Sequence, residues 1–236
     1  MIHVREANYT ELPAAAQLLS RGMCDDPMHC TVFGVNAEYR RKRLHRLFKA
    51  LLPLMGRRPL LAFDAERLVG VLGQFPPGSC RTPIRRQLRF AFKLRSLNVG
   101  ELWRLWHWIG ASEARDLAEP HWHLGPVAVE SGRRGQGIGS QMLGAFCTRI
   151  DERGEVAFLE TDKLDSVRFY ARCGFEVREQ GEVLGTPNWW MRRPARKPAA
   201  GFRNQGRRLN AAKATGCWLE ELRWARCNRQ YSHVRG

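Results

Sequence analysis

Apolar residues recur along this chain with two spacings, and each switch between them predicts the border of an element. Ile2 to Arg5 reads as a short first strand, and Thr10 as the cap of a helix whose buried stripe is Leu12, Ala16, Leu19 and Met23. A second helical stripe, Leu44, Leu47, Phe48 and Leu51, stops at Pro53. Alternation takes over in PLLAFDAERLVGVLGQF, which predicts a hairpin turning at Asp64 to Arg67. Residues 83 to 115 return to helical spacing, with Trp103, Trp106 and Ile109 on one face, a stripe that reads as core rather than as a substrate wall.

Beyond that helix, HWHLGPVAVE is rich in β-formers, and GRRGQGIGSQML follows it at once. Ile138, Met142, Phe146 and Ile150 then mark one helix face, Gly154 ends it, and EVAFLET returns to strand character. Asp165 is placed to cap a short helix through Tyr170 that halts at Gly174, and FEVREQG and NWWMRR supply two more strands. The order of elements is mixed α/β, without an internal repeat. Near Pro194 the periodic pattern gives way to Pro, Ala, Gly, Arg and Asn, which divides the chain into a folded domain, 1 to 193, and an extension, 194 to 236.

Charge sharpens that division. The chain of 236 residues carries a formal +16, and residues 192 to 236 hold 12 Lys+Arg against 2 Asp+Glu. Such a tail can attract nucleic acid or an acidic partner, or remain a solvated chain. Within it CWLEELRWARC places Trp218, Leu222 and Ala225 on one helical face. The longest apolar runs, such as ALLPLM at 50 to 55, are far below the roughly 20 residues that cross a bilayer. The polar, mixed start MIHVREANYTEL lacks the apolar block of a secretory signal, so a cytoplasmic protein is expected. Seven cysteines without a C-x-x-C pair argue against a disulfide framework and a zinc site, and no metal is expected.

The glycine loop is the strongest chemical signal. A strand that runs through Arg134, Gly135, Gln136, Gly137, Ile138 and Gly139 into a helix aims several N–H groups at one spot beside the positive end of the helix dipole. Phosphate oxygens suit that geometry, with glycine permitting close approach or positive φ and Arg134 adding a charged donor. A Walker loop would need a lysine that is missing, and the glycine spacing 135, 137, 139 breaks G-x-G-x-x-G.

With Arg134, Gly137 and Gly139 in the pattern R/Q-x-x-G-x-G/A, HLGPVAV upstream and FLETDKLDSVRFYARCGFEV downstream, the chain resembles the GNAT superfamily of acetyl-CoA-dependent N-acetyltransferases. The resemblance runs from the first strand to about Arg193. It implies a mostly antiparallel central sheet flanked by helices, with splayed fourth and fifth strands. It also implies acetyl-CoA as acetyl donor and a primary amine as acceptor, joined by direct attack in a ternary complex.

By that resemblance, Val127 and Val129 pair with the pantetheine, and the amides from Arg134 to Ser140, through Gly135, Gln136, Gly137, Ile138 and Gly139, meet the pyrophosphate. A backbone N–H of Val127 or Ala128 holds the carbonyl oxygen as it gains charge. Tyr170 matches the tyrosine that protonates the departing sulfur. His123 is the first choice of base, ahead of His121, with Glu160 as another. Strand alternation sets His121, His123, Gly125, Val127 and Val129 on one face. Lys163 and Ser166 stand where the family commonly has an asparagine, so Ser166 is expected to supply part of that contact. Cys173, beside Gly174, reads as a packing residue and not as a nucleophile. In related folds the segments at 25 to 34 and the Trp-rich helix, including Phe33, Trp103 and Trp106, flank the gap and so suggest the acceptor pocket, but since the spacing favours core, no acceptor residue is named. The competing reading is a regulatory protein that senses acyl-CoA or binds nucleic acid through its basic tail.

Overall fold

The computed structural model describes residues 1–79, 90, 92, 94 and 97–196. Among the described residues seven strands form: β1 (Ile2–Glu6), β2 (Leu60–Asp64), β3 (Arg67–Phe75), β4 (His121–Val129), β5 (Val156–Thr161), β6 (Glu176–Val183) and β7 (Thr186–Arg193). They make one sheet in the order β1-β2-β3-β4-β5-β7-β6, antiparallel at every junction except β4 with β5. The helices described are α1 (Leu12–Gly22), α2 (Pro27–Phe33), α3 (Ala37–Leu51), α4 (Val99–Glu113), α5 (Ile138–Asp151) and α6 (Leu164–Ala171). None of them is long and apolar enough to cross a membrane.

The sheet separates two apolar layers, as an amphipathic helix on each face requires. Leu19, Phe33, Leu44 and Phe48 from α1 to α3 pack on Phe158 and Trp190 of the sheet. Met142, Phe146 and Ile150 of α5 and Tyr170 of α6 pack on the other face, against Trp122 and Leu159. Arg193 closes the second layer: its buried guanidinium takes both carboxylate oxygens of Asp151, at 2.5 and 2.7 Å, and donates to the Cys173 carbonyl at 2.9 Å.

Several element borders differ from the sequence reading. The first helix is capped by Asn8 and Glu11 through a 3-10 turn, not by Thr10, because Asn8 N–H can donate to Glu11 Oε2 at 2.6 Å. Lys163, not Asp165, occupies the cap of α6, and Asp165 lies in its first turn. Residues 25 to 34 contain the helix α2, which starts at Pro27 and ends at Gly34 with φ +87°. Of the span 83 to 115, only the described part can be compared, and there α4 is helical. The stripe on α4 is not core: Trp103 is 54 % exposed and Trp106 75 %, because α4 buries Leu105 and Glu101 instead. The tail sequence 197 to 236, with its expected helical face, lies outside the described residues.

One irregularity shapes everything downstream. Between Leu72 and Gln74, β3 advances two residues while its partner β4 advances three, from Val127 to Leu124, so β4 carries an extra residue. The bulge at Gly125 (φ +145°) is possible only because Gly73 lies opposite: a Cβ at position 73 would sit 2.4 Å from the Gly125 carbonyl oxygen. The bulge reverses the alternation. His121 and His123 face the α1 side with Phe158, whereas Val127 and Val129 face the α5 side, so the expectation that all four share a face is corrected.

Candidate active site

Strands β4 and β5 pair over three positions, His121 with Val156, Trp122 with Ala157 and His123 with Phe158, and then part. Beyond His123, β4 continues to Val129 and β5 to Thr161 with no ladder between them. The result is a fork that opens toward the carboxyl ends of both strands. On its β3 side β4 remains fully paired, and there Glu130 N–H reaches Val69 O at 2.9 Å. Because successive residues of a strand turn their N–H and C=O groups to opposite edges, Ala128 shares that edge, and Val127 and Val129 present theirs to the fork. Ala128 is thus turned away from the gap. Its side chain packs beneath α1, where a Cβ on Gly22 would come within 2.8 Å of it.

The glycine loop lies at the end of β4. Gly135 and Gly137 have φ of +80° and +79°, values that any side chain would strain, and Gly137 caps α5. Among the described residues, the first N–H after Arg134 to reach a backbone carbonyl is that of Gln141, on Gly137 O at 3.0 Å. The amides of Gly135, Gln136, Gly137, Ile138, Gly139 and Ser140 are therefore available to an anion at the positive end of a 14-residue helix. Gly139 serves packing instead of conformation: a Cβ there would touch the Phe169 ring at 3.3 Å. Arg134 does not aim its guanidinium at this concavity. It donates to Gly22 O at 2.5 Å and so ties the loop to the end of α1.

At the root of the fork His123 Nε2 meets Glu160 Oε2 at 3.0 Å. The two side chains, 37 positions apart in sequence, come from neighbouring strands and project to the same face. Burial pushes the Glu160 carboxyl up, but the charge and hydrogen bonding of His123 outweigh it, so the group is held below the usual carboxylate range. Behind this pair, His121 Nε2 lies 2.8 Å from Asp116 Oδ1, and His121 Nδ1 lies 2.8 Å from the Glu119 carbonyl oxygen.

The other prong ends at Thr161, and α6 carries Tyr170 back beneath it. Burial raises the Tyr170 hydroxyl well above its ordinary pKa, and the carboxylates of Asp26, Glu160 and Asp162 add to the effect. Tyr170 is therefore a phenol at neutral pH. Ser166 is half-buried in the first turn of α6. Lys163 pairs with Asp26, and Asp162 Oδ2 accepts the Met28 N–H at 2.6 Å, so the end of β5 clamps the start of α2. Buried Arg40 secures the same segment from below through Asp25 at 2.7 Å and the Gly34 carbonyl at 2.7 Å. Cys173 stays a thiol, since burial raises its pKa. Phe33 belongs to the core, which removes it from the expected acceptor wall.

Residues 36–175 match the model of the acetyltransferase (GNAT) family, which spans more than half of the chain. The chain belongs to the GNAT acetyltransferase family. Its members generally take the acetyl group from acetyl-CoA. Solved structures with the same fold include a histone acetyltransferase HPA2 and related acetyltransferase from Corynebacterium glutamicum, at 22 % identity and TM-score 0.61, covering 84 % of this chain and 98 % of that one. A polyamine N-acetyltransferase of Drosophila melanogaster matches at 15 % identity and TM-score 0.55, covering 82 % and 100 %. Arylalkylamine N-acetyltransferase 2 of Aedes aegypti matches at 14 % and 0.56, covering 82 % and 98 %.

The sequence reading named His123 and Glu160 as separate candidates, and the fold joins them. It held Asp26 only as part of the segment 25 to 34 and missed Asp116 and Asp162. Asp162 directly follows a predicted strand, the position at which side chains line the mouth of a sheet, and that signal was readable. Asp116 sits in a connection and had none.

Proposed function

We propose that this GNAT protein is an N-acetyltransferase that moves the acetyl group of acetyl-CoA to a primary amine by direct attack in a ternary complex. The observation that carries the reading is the fork. It has a concavity of backbone amides at one mouth and a carboxylate–imidazole pair at its root; Tyr170, buried beside Leu159 of β5, is the phenol we assign to the leaving sulfur.

Acetyl-CoA fits this arrangement in its two most distinctive parts. The amides of residues 135 to 140 offer donors for a pyrophosphate, and the free edge of β4 at Val127 and Val129 offers strand-like pairing to the pantetheine amides. Bound there, acetyl-CoA supplies the thioester carbonyl. The protein's own groups do the rest.

An amine arrives at neutral pH mostly as an ammonium ion. Asp162, with Glu160 in its imidazole pair, places negative charge that favours a cation at the mouth. The His123–Glu160 pair accepts the ammonium proton, which frees the nitrogen lone pair for attack on the thioester carbon. Because the two groups are in contact, they titrate as a unit. Val127 N–H, turned into the fork, stabilises the oxygen as charge builds on it. Tyr170 donates its proton to the sulfur as the carbon–sulfur bond breaks. No covalent acyl-enzyme is needed, in keeping with the raised thiol pKa of Cys173.

A panel of primary amines, each incubated with acetyl-CoA and the purified protein, tests this by release of free thiol. At least one cationic amine should give thiol in step with N-acetylated product. Thiol release independent of every amine, or no binding of acetyl-CoA at millimolar concentration, overturns the reading.

A further inference from the structure

Two histidines separated by one residue on β4 project to the same face, and a loop carboxylate and a carboxylate from the next strand converge on them. The donor atoms of Asp116, His121 and His123 all lie within 4.8 Å of one another. Glu160 joins the group through its 3.0 Å contact with His123 Nε2. The geometry points to a divalent transition-metal site of the zinc class, built from Asp116, His121 and His123, with Glu160 as fourth protein ligand.

Two features favour a metal over an ordinary polar cluster. First, His121 Nδ1 lies 2.8 Å from the Glu119 carbonyl oxygen, a contact that holds the ring with Nε2 toward Asp116. Metal-bound histidines are usually oriented by such a partner. Second, Asp116 Oδ1 and Glu160 Oε2 are buried and each lies against an imidazole nitrogen, at 2.8 and 3.0 Å, so both carboxylates point into one cluster. A divalent ion would supply one counter-charge to the two of them.

The donor set decides the class of ion. Two imidazoles with two carboxylates suit zinc and its neighbours, whereas calcium and magnesium take oxygen ligands. Around a tetrahedral zinc, ligand atoms about 2.0–2.2 Å from the ion lie roughly 3.4 Å apart, so the widest pair among Asp116, His121 and His123, which lie within 4.8 Å of one another, must close by up to about 1.4 Å. Rotation of the half-buried Asp116 side chain on its loop can deliver that. Two carboxylates and a divalent ion sum to zero charge, which suits a semi-buried position. The metal and the substrate proton would compete for the same lone pairs on His123 and Glu160, so the loaded protein is expected to be inhibited. The site itself stands on geometry and does not require the transfer reaction.

Cobalt(II) titrated into the full-length protein, followed by visible absorption and by calorimetry, separates this site from the thiols of the seven cysteines. One equivalent should bind with the d–d bands of a tetrahedral nitrogen and oxygen site and without a thiolate-to-metal band. Asp116→Asn and His121→Ala should each weaken binding at least tenfold, while His45→Ala, on the outer face of α3, should leave it unchanged. A thiolate band, binding indifferent to both Asp116→Asn and His121→Ala, or no binding at submillimolar metal overturns the proposal. Since none of these readouts is acetyl transfer, failure of the metal site and failure of the acetyltransferase reading give different results.

Discussion

Replacing Gly73 with alanine isolates the contact that creates the fork. Gly73 does not have positive φ, so the change adds a methyl group without backbone strain of its own. That methyl carbon would lie 2.4 Å from Gly125 O, 2.7 Å from Gly125 C and 2.7 Å from Pro126 Cδ. An ordinary contact needs about 3.4 Å, so β3 and the β4 bulge must separate by about 1 Å, and no rotamer can absorb the clash because its partners are backbone. Overpacking of this kind costs about 3 kcal/mol, the upper end for an added methyl group. For a domain of this size that is roughly 6–12 °C in Tm. Gly70→Ala on the same strand is the control. Its methyl group would meet mainly Met142 Cε and Sδ, at 2.7 and 2.9 Å, the movable end of a flexible chain, so its Tm should fall by less than about 4 °C. Differential scanning calorimetry gives the Tm values, and acetyl-CoA titration reports on the fork, where Gly73→Ala should also weaken binding. Equal Tm values for the two variants would refute the claim that Gly73 pins the bulge.

Tyr170→Phe should lower kcat by about 10² or more with little change in the KM for acetyl-CoA; steady-state rates that leave kcat intact remove the phenol from proton transfer. His123→Ala should lose most activity below the pKa of the acceptor amine, where a proton has to be taken up, and an unchanged pH–rate profile counts against it as base. Gly137→Ala, at φ +79°, should raise the Kd for acetyl-CoA and cost about 1–2 kcal/mol in stability; equilibrium titration and thermal melts check both, and an unaltered Kd argues that the anion is held elsewhere. Glu11 is held at about 2, first by its hydrogen bond to Arg5 and then by the Asn8 N–H. Its stabilising effect is complete above its ordinary value of 4.5 and lost as pH falls toward 2, so the Tm gap between the protein and Glu11→Gln should close over that interval. A gap that is constant with pH contradicts the assignment.

The element order and the glycine concavity were legible in the sequence because both rest on neighbours within a few positions. Helical and strand spacing, the Pro53 stop and the glycines at 135 and 137 are local matters of backbone sterics, and the structure reproduces them. Alternation failed as a guide at one place. Residues 121 to 129 look like an uninterrupted strand, and only the pairing with β3, across 45 intervening residues, shows that an extra residue at Gly125 turns Val127 and Val129 to the opposite face from His123. Burial was misread in the same way for Trp103 and Trp106, since their spacing gives α4 an apolar stripe without saying what covers it.

The sequence by itself determined which segments become strands and helices, and where a strand hands its chain to a helix through positive-φ glycines. Tertiary structure alone decided that His123 meets Glu160, that Asp116 closes on His121, and that Arg134 anchors α1 instead of facing the concavity. The physical reason is reach. Local conformation is chosen by atoms a turn or a pleat away, whereas a side chain's partner across the sheet depends on register, twist and bulges, which are set by the packing of the whole domain.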